Sequence, residues 1–131
     1  MVRLNLATVT TTHPIYTDDS GRALRGYDPV AYHVDGAATD GDPQITWEWN
    51  EATWQFASVK NRELFREDPA KYAPAFGGHC AVGKALGFDL PGSPKRWRIE
   101  DGQLFINKNR FAALQFRPLS GRIRKLAESA R

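Results

Sequence analysis

The segment "RWRIEDGQLFIN", residues 96–107, contains two alternating apolar runs separated by the dipeptide Asp-Gly. Asp-Gly favours a type I′ turn, because both central positions of that turn take positive φ. Such a turn fixes the register of the flanking strands and therefore decides which side chains share a face. The expected core-facing pairs are Ile99 with Leu104 and Trp97 with Ile106, and the other face carries Arg98, Glu100, Gln103 and Phe105.

A second, aromatic hairpin is predicted upstream from "ITWEWNEATWQFAS", residues 45–58. Its large apolar side chains recur with a period of two, and residues 50–53 are predicted to form the loop. The cross-strand pairs would then be Trp49 with Trp54 and Trp47 with Phe56. Each such pair adds several tenths of a kcal/mol beyond burial, so we interpret this face as core rather than as a ligand platform.

Capping residues predict short helices between the hairpins. Asp28, followed by proline, matches the start of a helical turn that ends near Gly36. Ser58 can cap the segment "VKNRELFRED", which the dipeptide Asp68-Pro69 ends while starting another short turn.

Two further helices are predicted toward the end of the chain. One passes through "HCAVGKALG", residues 79–87, although the glycine at position 83 weakens it. The other is an amphipathic helix over residues 118–131, with Leu119, Ile123, Leu126 and Ala130 at helical spacing. The predicted fold class is therefore α+β: one small domain over 26–131, preceded by an arm over 1–25, in which hairpins pack with short helices and the C-terminal helix.

Length and composition exclude several classes of protein. The 131 residues suffice for one domain with its own core. The single cysteine excludes an internal disulfide and any all-cysteine zinc site within one chain. No stretch approaches the roughly 20 apolar residues of a membrane span. We therefore expect a soluble protein, cytoplasmic as written and periplasmic or exported where a leader has been removed.

The charge distribution is mildly basic. The net charge is +3, and residues 110–131 contain six basic residues and one acidic residue. This is well short of the dense basic stripes of nucleic-acid-binding proteins, so no nucleic acid is expected. We interpret the C-terminal charges as a solvated helical face, with an anionic binding patch as the alternative.

The segment "GGHCAVGKALG", residues 77–87, carries most of the chemistry in the sequence. It nearly matches a phosphate-binding loop, but Ala85 lacks the hydroxyl that would bind magnesium, so no nucleotide is expected. Cys80 near a helix N-terminus is a candidate nucleophile if His33 or His13 supplies a base through the fold. His79 and Cys80, with His33, are alternatively a mixed nitrogen and sulfur ligand set for copper, zinc, iron or nickel.

Three motifs in order resemble the YHS-domain family in its stand-alone form. They are "GYDPVAYHVDG", "WQFASVKNRELFREDPAKYAPAFGGHCAVGKALG" and "RWRIEDGQLFINKN", and together they span about residues 26–110. The family reads GYDPVAYF in the first motif and GG-Y-CA in the second. This chain departs from it with His33 in place of phenylalanine and His79 in place of tyrosine, and it lacks the family's usual C-terminal tryptophan.

The resemblance implies a small α+β domain of a family described as a metal-binding module, with relatives attached to heavy-metal transport ATPases and to some oxygenases. We therefore expect a non-catalytic metal-binding or metal-handling protein with Cys80, His79 and His33 as ligands of a transition metal ion. Two alternatives stay open: a module that binds a protein partner through its basic C-terminal helix, and a thiol-dependent enzyme.

Overall fold

The structure is a computed structural model that describes residues 14–113 and 121–122. It contains short helices and two antiparallel hairpins, each forming its own two-stranded sheet, so the predicted α+β class is confirmed. In chain order the elements are a 3₁₀ turn (Leu24–Gly26), α1 (Ala31–Val34), β1 (Asp42–Trp49), β2 (Ala52–Phe56), α2 (Val59–Glu67), α3 (Pro69–Tyr72), a second 3₁₀ turn (Ala75–Gly78), α4 (Ala81–Ala85), β3 (Ser93–Glu100) and β4 (Gln103–Asn107).

The β3–β4 hairpin has the predicted register. Asp101 and Gly102 form the turn with φ of 52° and 77°, as a type I′ turn requires. The facing pairs are Ile99 with Leu104, Trp97 with Ile106, Arg98 with Phe105, and Glu100 with Gln103. The register then shifts between Trp97 and Ser93, which pairs with Asn107. This shift leaves residues 94–96 bulged at the open end of the hairpin.

The register predicted for the β1–β2 hairpin is wrong by two residues. The turn contains only Asn50 and Glu51, which take φ of 51° and 62°. The facing pairs are therefore Trp49 with Ala52 and Trp47 with Trp54. A two-residue turn of this kind normally contains glycine. This turn contains none, so the sequence did not indicate it. Trp47 is 37% exposed as a result, with the Arg66 guanidinium 4.5 Å from the centre of its ring.

The predicted helix boundaries are largely confirmed. The Ser58 hydroxyl accepts a hydrogen bond from the Asn61 backbone at 3.1 Å and caps α2. Asp68 and Pro69 separate α2 from α3, as predicted. The helix predicted from Asp28 begins at Ala31, somewhat later than expected, and the helix predicted through residues 79–87 is the shorter α4.

Asp28 is a completely buried carboxylate that joins α1 to the start of α2. Its Oδ1 atom accepts hydrogen bonds from the backbone of Val30 and Ala31 at 2.7 and 3.2 Å. Its Oδ2 atom accepts one from the Ala57 backbone and one from the Asn61 side chain, both at 2.8 Å. Four donors in two segments therefore depend on one side chain.

Two hydrophobic clusters lie on opposite faces of the β3–β4 hairpin. The large cluster gathers Trp49, Trp54 and Phe56 of the first hairpin with Tyr32, Phe65 and Tyr72 of the helices, and receives Leu104 and Ile106. The small cluster contains Phe76, Ala81 and Phe105. Since neighbouring residues of a strand point to opposite faces, β4 is buried on both sides. The face predicted to carry Phe105 beside polar residues is thus partly core.

The described part of the chain before α1 lies along the domain as an arm. Residues 18–21 form a turn, in which the Gly21 N–H donates to the Asp18 carbonyl. Arg22 then forms a parallel bridge with Thr53 of β2. The predicted amphipathic helix over 118–131 lies outside the described residues, apart from positions 121 and 122. Among the described residues, none belongs to a helix long and apolar enough to cross a membrane.

Candidate functional site

The double-glycine loop, defined here as residues 74–80, runs beside β4. Pro74 and Cys80 form parallel bridges with Leu104 and Ile106, so both ends of the loop are fixed to the same strand. The Cys80 N–H also donates to the Leu90 carbonyl at 2.9 Å. The loop is therefore held on both sides, and the position of the cysteine is set by backbone contacts.

The first glycine of the loop lets the N-terminal arm cross it. Gly77 has φ of 66°, and a Cβ atom at this position would lie 2.0 Å from the Pro14 carbonyl oxygen. The Gly77 carbonyl accepts a hydrogen bond from the Tyr16 N–H at 2.9 Å. A side chain at position 77 would therefore displace the arm as well as strain the backbone.

The Cys80 thiol occupies a buried, hydrogen-bonded pocket at the start of α4. The cysteine is 2% exposed, and its Sγ atom accepts a hydrogen bond from the Gly83 N–H at 3.4 Å. The thiol donates to Asn107 Oδ1 at 3.8 Å, and the same oxygen accepts from the Val82 N–H at 3.3 Å. In the described part of the chain, no imidazole is a hydrogen-bond partner of this thiol.

His79 lies on the side of the loop that faces the arm. Its Nδ1 atom is 2.9 Å from the Phe76 carbonyl, and its ring is 5.8 Å from that of Tyr16. Because a carbonyl only accepts, this contact places the proton on Nδ1 and leaves the Nε2 lone pair available. His79 and Cys80 are adjacent but have different partners, since the His79 ring contacts Phe76 and Tyr16 whereas the Cys80 thiol contacts Asn107.

His33 lies at the end of α1, where its ring meets that of Tyr72 edge-on at 5.4 Å. Its Nε2 atom is buried and has no hydrogen-bond partner. Burial lowers the pKa of His33; the backbone of Tyr72 raises this pKa, and the Lys71 ammonium lowers it further. Desolvation disfavours the charged imidazolium, so the ring is held as a neutral aromatic group.

The three predicted ligands thus occupy different surroundings. Cys80 faces Asn107, His79 faces Tyr16, and His33 packs on Tyr72. Within residues 14–113 and 121–122, no group of three or more histidine, cysteine, aspartate or glutamate side chains is placed to hold one metal ion. His13, the other candidate base, lies outside the described residues.

Asn107 is the site residue that our interpretation of the sequence missed. It is 1% exposed and connects the Cys80 thiol to the start of α4. The sequence offered one indication, an asparagine that closes the last strand of the hairpin directly after a buried apolar run. Its partner is 27 residues away in the chain, so only the fold brings the two together.

Comparison of the chain with family models, with curated proteins and with solved structures gives no match.

Proposed function

We propose that the chain is a non-catalytic YHS-type domain that handles a thiophilic metal ion through Cys80. The order of the three sequence motifs supports the family, and the surroundings of the thiol support the role. The single observation that carries the proposal is the polar pocket around Sγ, in which one N–H donates to the sulfur and an amide oxygen accepts from it. A cysteine packed only among apolar side chains would be inert.

The donors around Cys80 favour copper(I) among the candidate metals. A thiolate is a soft ligand and selects copper(I), whereas structural zinc is held by four nitrogen or sulfur ligands. The His79 imidazole has other neighbours, Phe76 and Tyr16, so it is a separate donor.

Metal loading of matched variants tests this proposal. Cys80→Ser retains an acceptor for the Gly83 N–H, so we expect it to fold while it loses the bound copper(I). Cys80→Ala removes the acceptor and should also lower the free energy of unfolding by about 1 to 2 kcal/mol. Stoichiometry is measured after loading with copper(I), zinc, iron and nickel in turn, and bound metal should raise the melting temperature of the wild type.

His79→Phe and His33→Phe serve as controls, because each keeps an aromatic ring while it removes a nitrogen ligand. Copper retained equally by the wild type and by Cys80→Ser would refute a role for the thiol. Copper lost from His79→Phe as well would add the imidazole to the site. The interaction module with a basic C-terminal helix depends on residues that are mostly not described, and it remains a prediction, as does the thiol-dependent enzyme.

A further inference from the structure

The open end of the β3–β4 hairpin carries four exposed cations. Lys95 and Arg96 lie in the bulge that follows Ser93, and Lys108 and Arg110 follow Asn107. Because Ser93 and Asn107 face each other, all four cations lie within three residues of one strand pair. We name this cluster of Lys95, Arg96, Lys108 and Arg110 the basic end.

Among the residues that the structure describes, no ion pair compensates the charge of the basic end. The ion pairs of the described residues use Arg22, Arg62, Arg66, Lys84 and Arg98, and none involves the basic end. The acidic residues of this hairpin, Glu100 and Asp101, lie at its turn, which is the opposite end. The hairpin is therefore polarised along its length, with its positive charge concentrated where the strands open.

Large apolar side chains are exposed on the two chain segments that adjoin the basic end. Phe111 follows Arg110 directly and is 70% exposed. Leu86 and Phe88 are 69% and 58% exposed in the segment after α4. This segment leads into β3 through Gly92, where a Cβ atom would lie 2.5 Å from Ile106 Cγ2. Exposed apolar residues on segments that adjoin a cluster of cations favour an interaction surface over a solvated face.

We propose that the basic end and these three apolar residues bind the surface of an anionic lipid membrane peripherally. Lysine and arginine attract lipid phosphates, and phenylalanine and leucine enter the boundary between headgroups and acyl chains. An acidic protein segment would use the cations but would leave an exposed leucine and two phenylalanines in water. Single-stranded nucleic acid would stack its bases on the aromatic rings and would leave Leu86 exposed to water.

Sedimentation with vesicles tests this inference on the whole chain. We expect binding to vesicles that contain phosphatidylglycerol, little binding to phosphatidylcholine alone, and loss of binding as salt screens the charges. Lys95→Gln/Arg96→Gln should weaken binding about 25-fold, since each cation near the surface contributes about fivefold. Phe88→Ser/Phe111→Ser should weaken the binding that persists at moderate salt.

The matched control is Lys60→Gln/Lys71→Gln, which removes two exposed charges that take part in none of the ion pairs of the described residues and should bind like the wild type. Circular dichroism confirms that each variant is folded. Equal binding by the wild type and Lys95→Gln/Arg96→Gln would overturn the proposal, as would no binding to anionic vesicles at low salt. Tighter binding to single-stranded DNA or to polyglutamate than to vesicles would also overturn it and would assign the surface to that partner.

Discussion

Asp28 shows how much one buried side chain holds together in this domain. Replacing it with alanine leaves four hydrogen-bond donors without their acceptor, and each buried unpaired donor costs about 1 to 3 kcal/mol. We therefore expect Asp28→Ala to lower the free energy of unfolding by about 3 kcal/mol or more, measured by urea denaturation. Asp35→Ala removes an exposed carboxylate directly after α1 and should have little effect on the free energy of unfolding. Similar losses in both variants would contradict this role.

His33 makes stability depend on pH. Its pKa is lowered in the folded state, chiefly by burial, so the unfolded chain binds its proton more readily. Stability is therefore greatest above the unfolded pKa of about 6.5 and decreases as the pH falls below it. His33→Phe keeps an aromatic ring packed on Tyr72. The stability of this variant should fall less as the pH is lowered, as measured by thermal unfolding between neutral and mildly acidic pH. An unchanged slope in His33→Phe would show that other groups cause it.

At the scale of elements, the double-glycine loop depends on the missing Cβ of Gly77. Gly87 provides a matched control, because it also has positive φ, 88°, but a Cβ there would meet nothing within 4 Å. Gly87→Ala should cost about 1 to 2 kcal/mol from backbone strain alone. Gly77→Ala adds the clash with the Pro14 carbonyl and should cost clearly more in a urea titration. Equal costs would mean that the arm does not rest on this glycine.

The two hairpins explain which parts of the fold could be predicted from the sequence. The dipeptide of Asp101 and Gly102 predicts a type I′ turn, and the strand register that this turn implies is confirmed. Asn50 and Glu51 adopt the same positive φ without a glycine, so the sequence suggested a longer loop and the wrong pairs. Local turn chemistry predicts register only where the turn uses its preferred residues.

The candidate site was predictable to a smaller extent. The sequence indicated that Cys80 lies at the start of a helix, and the structure places it at the start of α4. It did not indicate the contact with Asn107, because that contact depends on the loop lying parallel to β4. The adjacent residues His79 and Cys80 have different partners, which spacing in the sequence alone does not reveal.

At the scale of the whole molecule, β4 couples the two hydrophobic clusters. Phe105→Ala removes a ring from the small cluster and should lower the free energy of unfolding by about 3 to 5 kcal/mol. None of the four tryptophans belongs to the small cluster, yet their fluorescence should follow the loss if the domain unfolds in one step. Tryptophan fluorescence and circular dichroism should give one midpoint. Separate midpoints would mean that the clusters unfold independently.

Phe76 has a left-handed backbone, with φ of 56°, while its ring is packed 6.0 Å from that of Phe105. For a residue with a Cβ atom this left-handed conformation costs about 1 to 2 kcal/mol. Burial of the Phe76 ring offsets that cost and so keeps the backbone left-handed. Loosening the ring would let the backbone relax and would move the next residue, Gly77, whose carbonyl accepts the hydrogen bond from the Tyr16 N–H. The path of the chain at Tyr16 therefore depends on the packing of Phe76, which lies sixty residues further along the sequence.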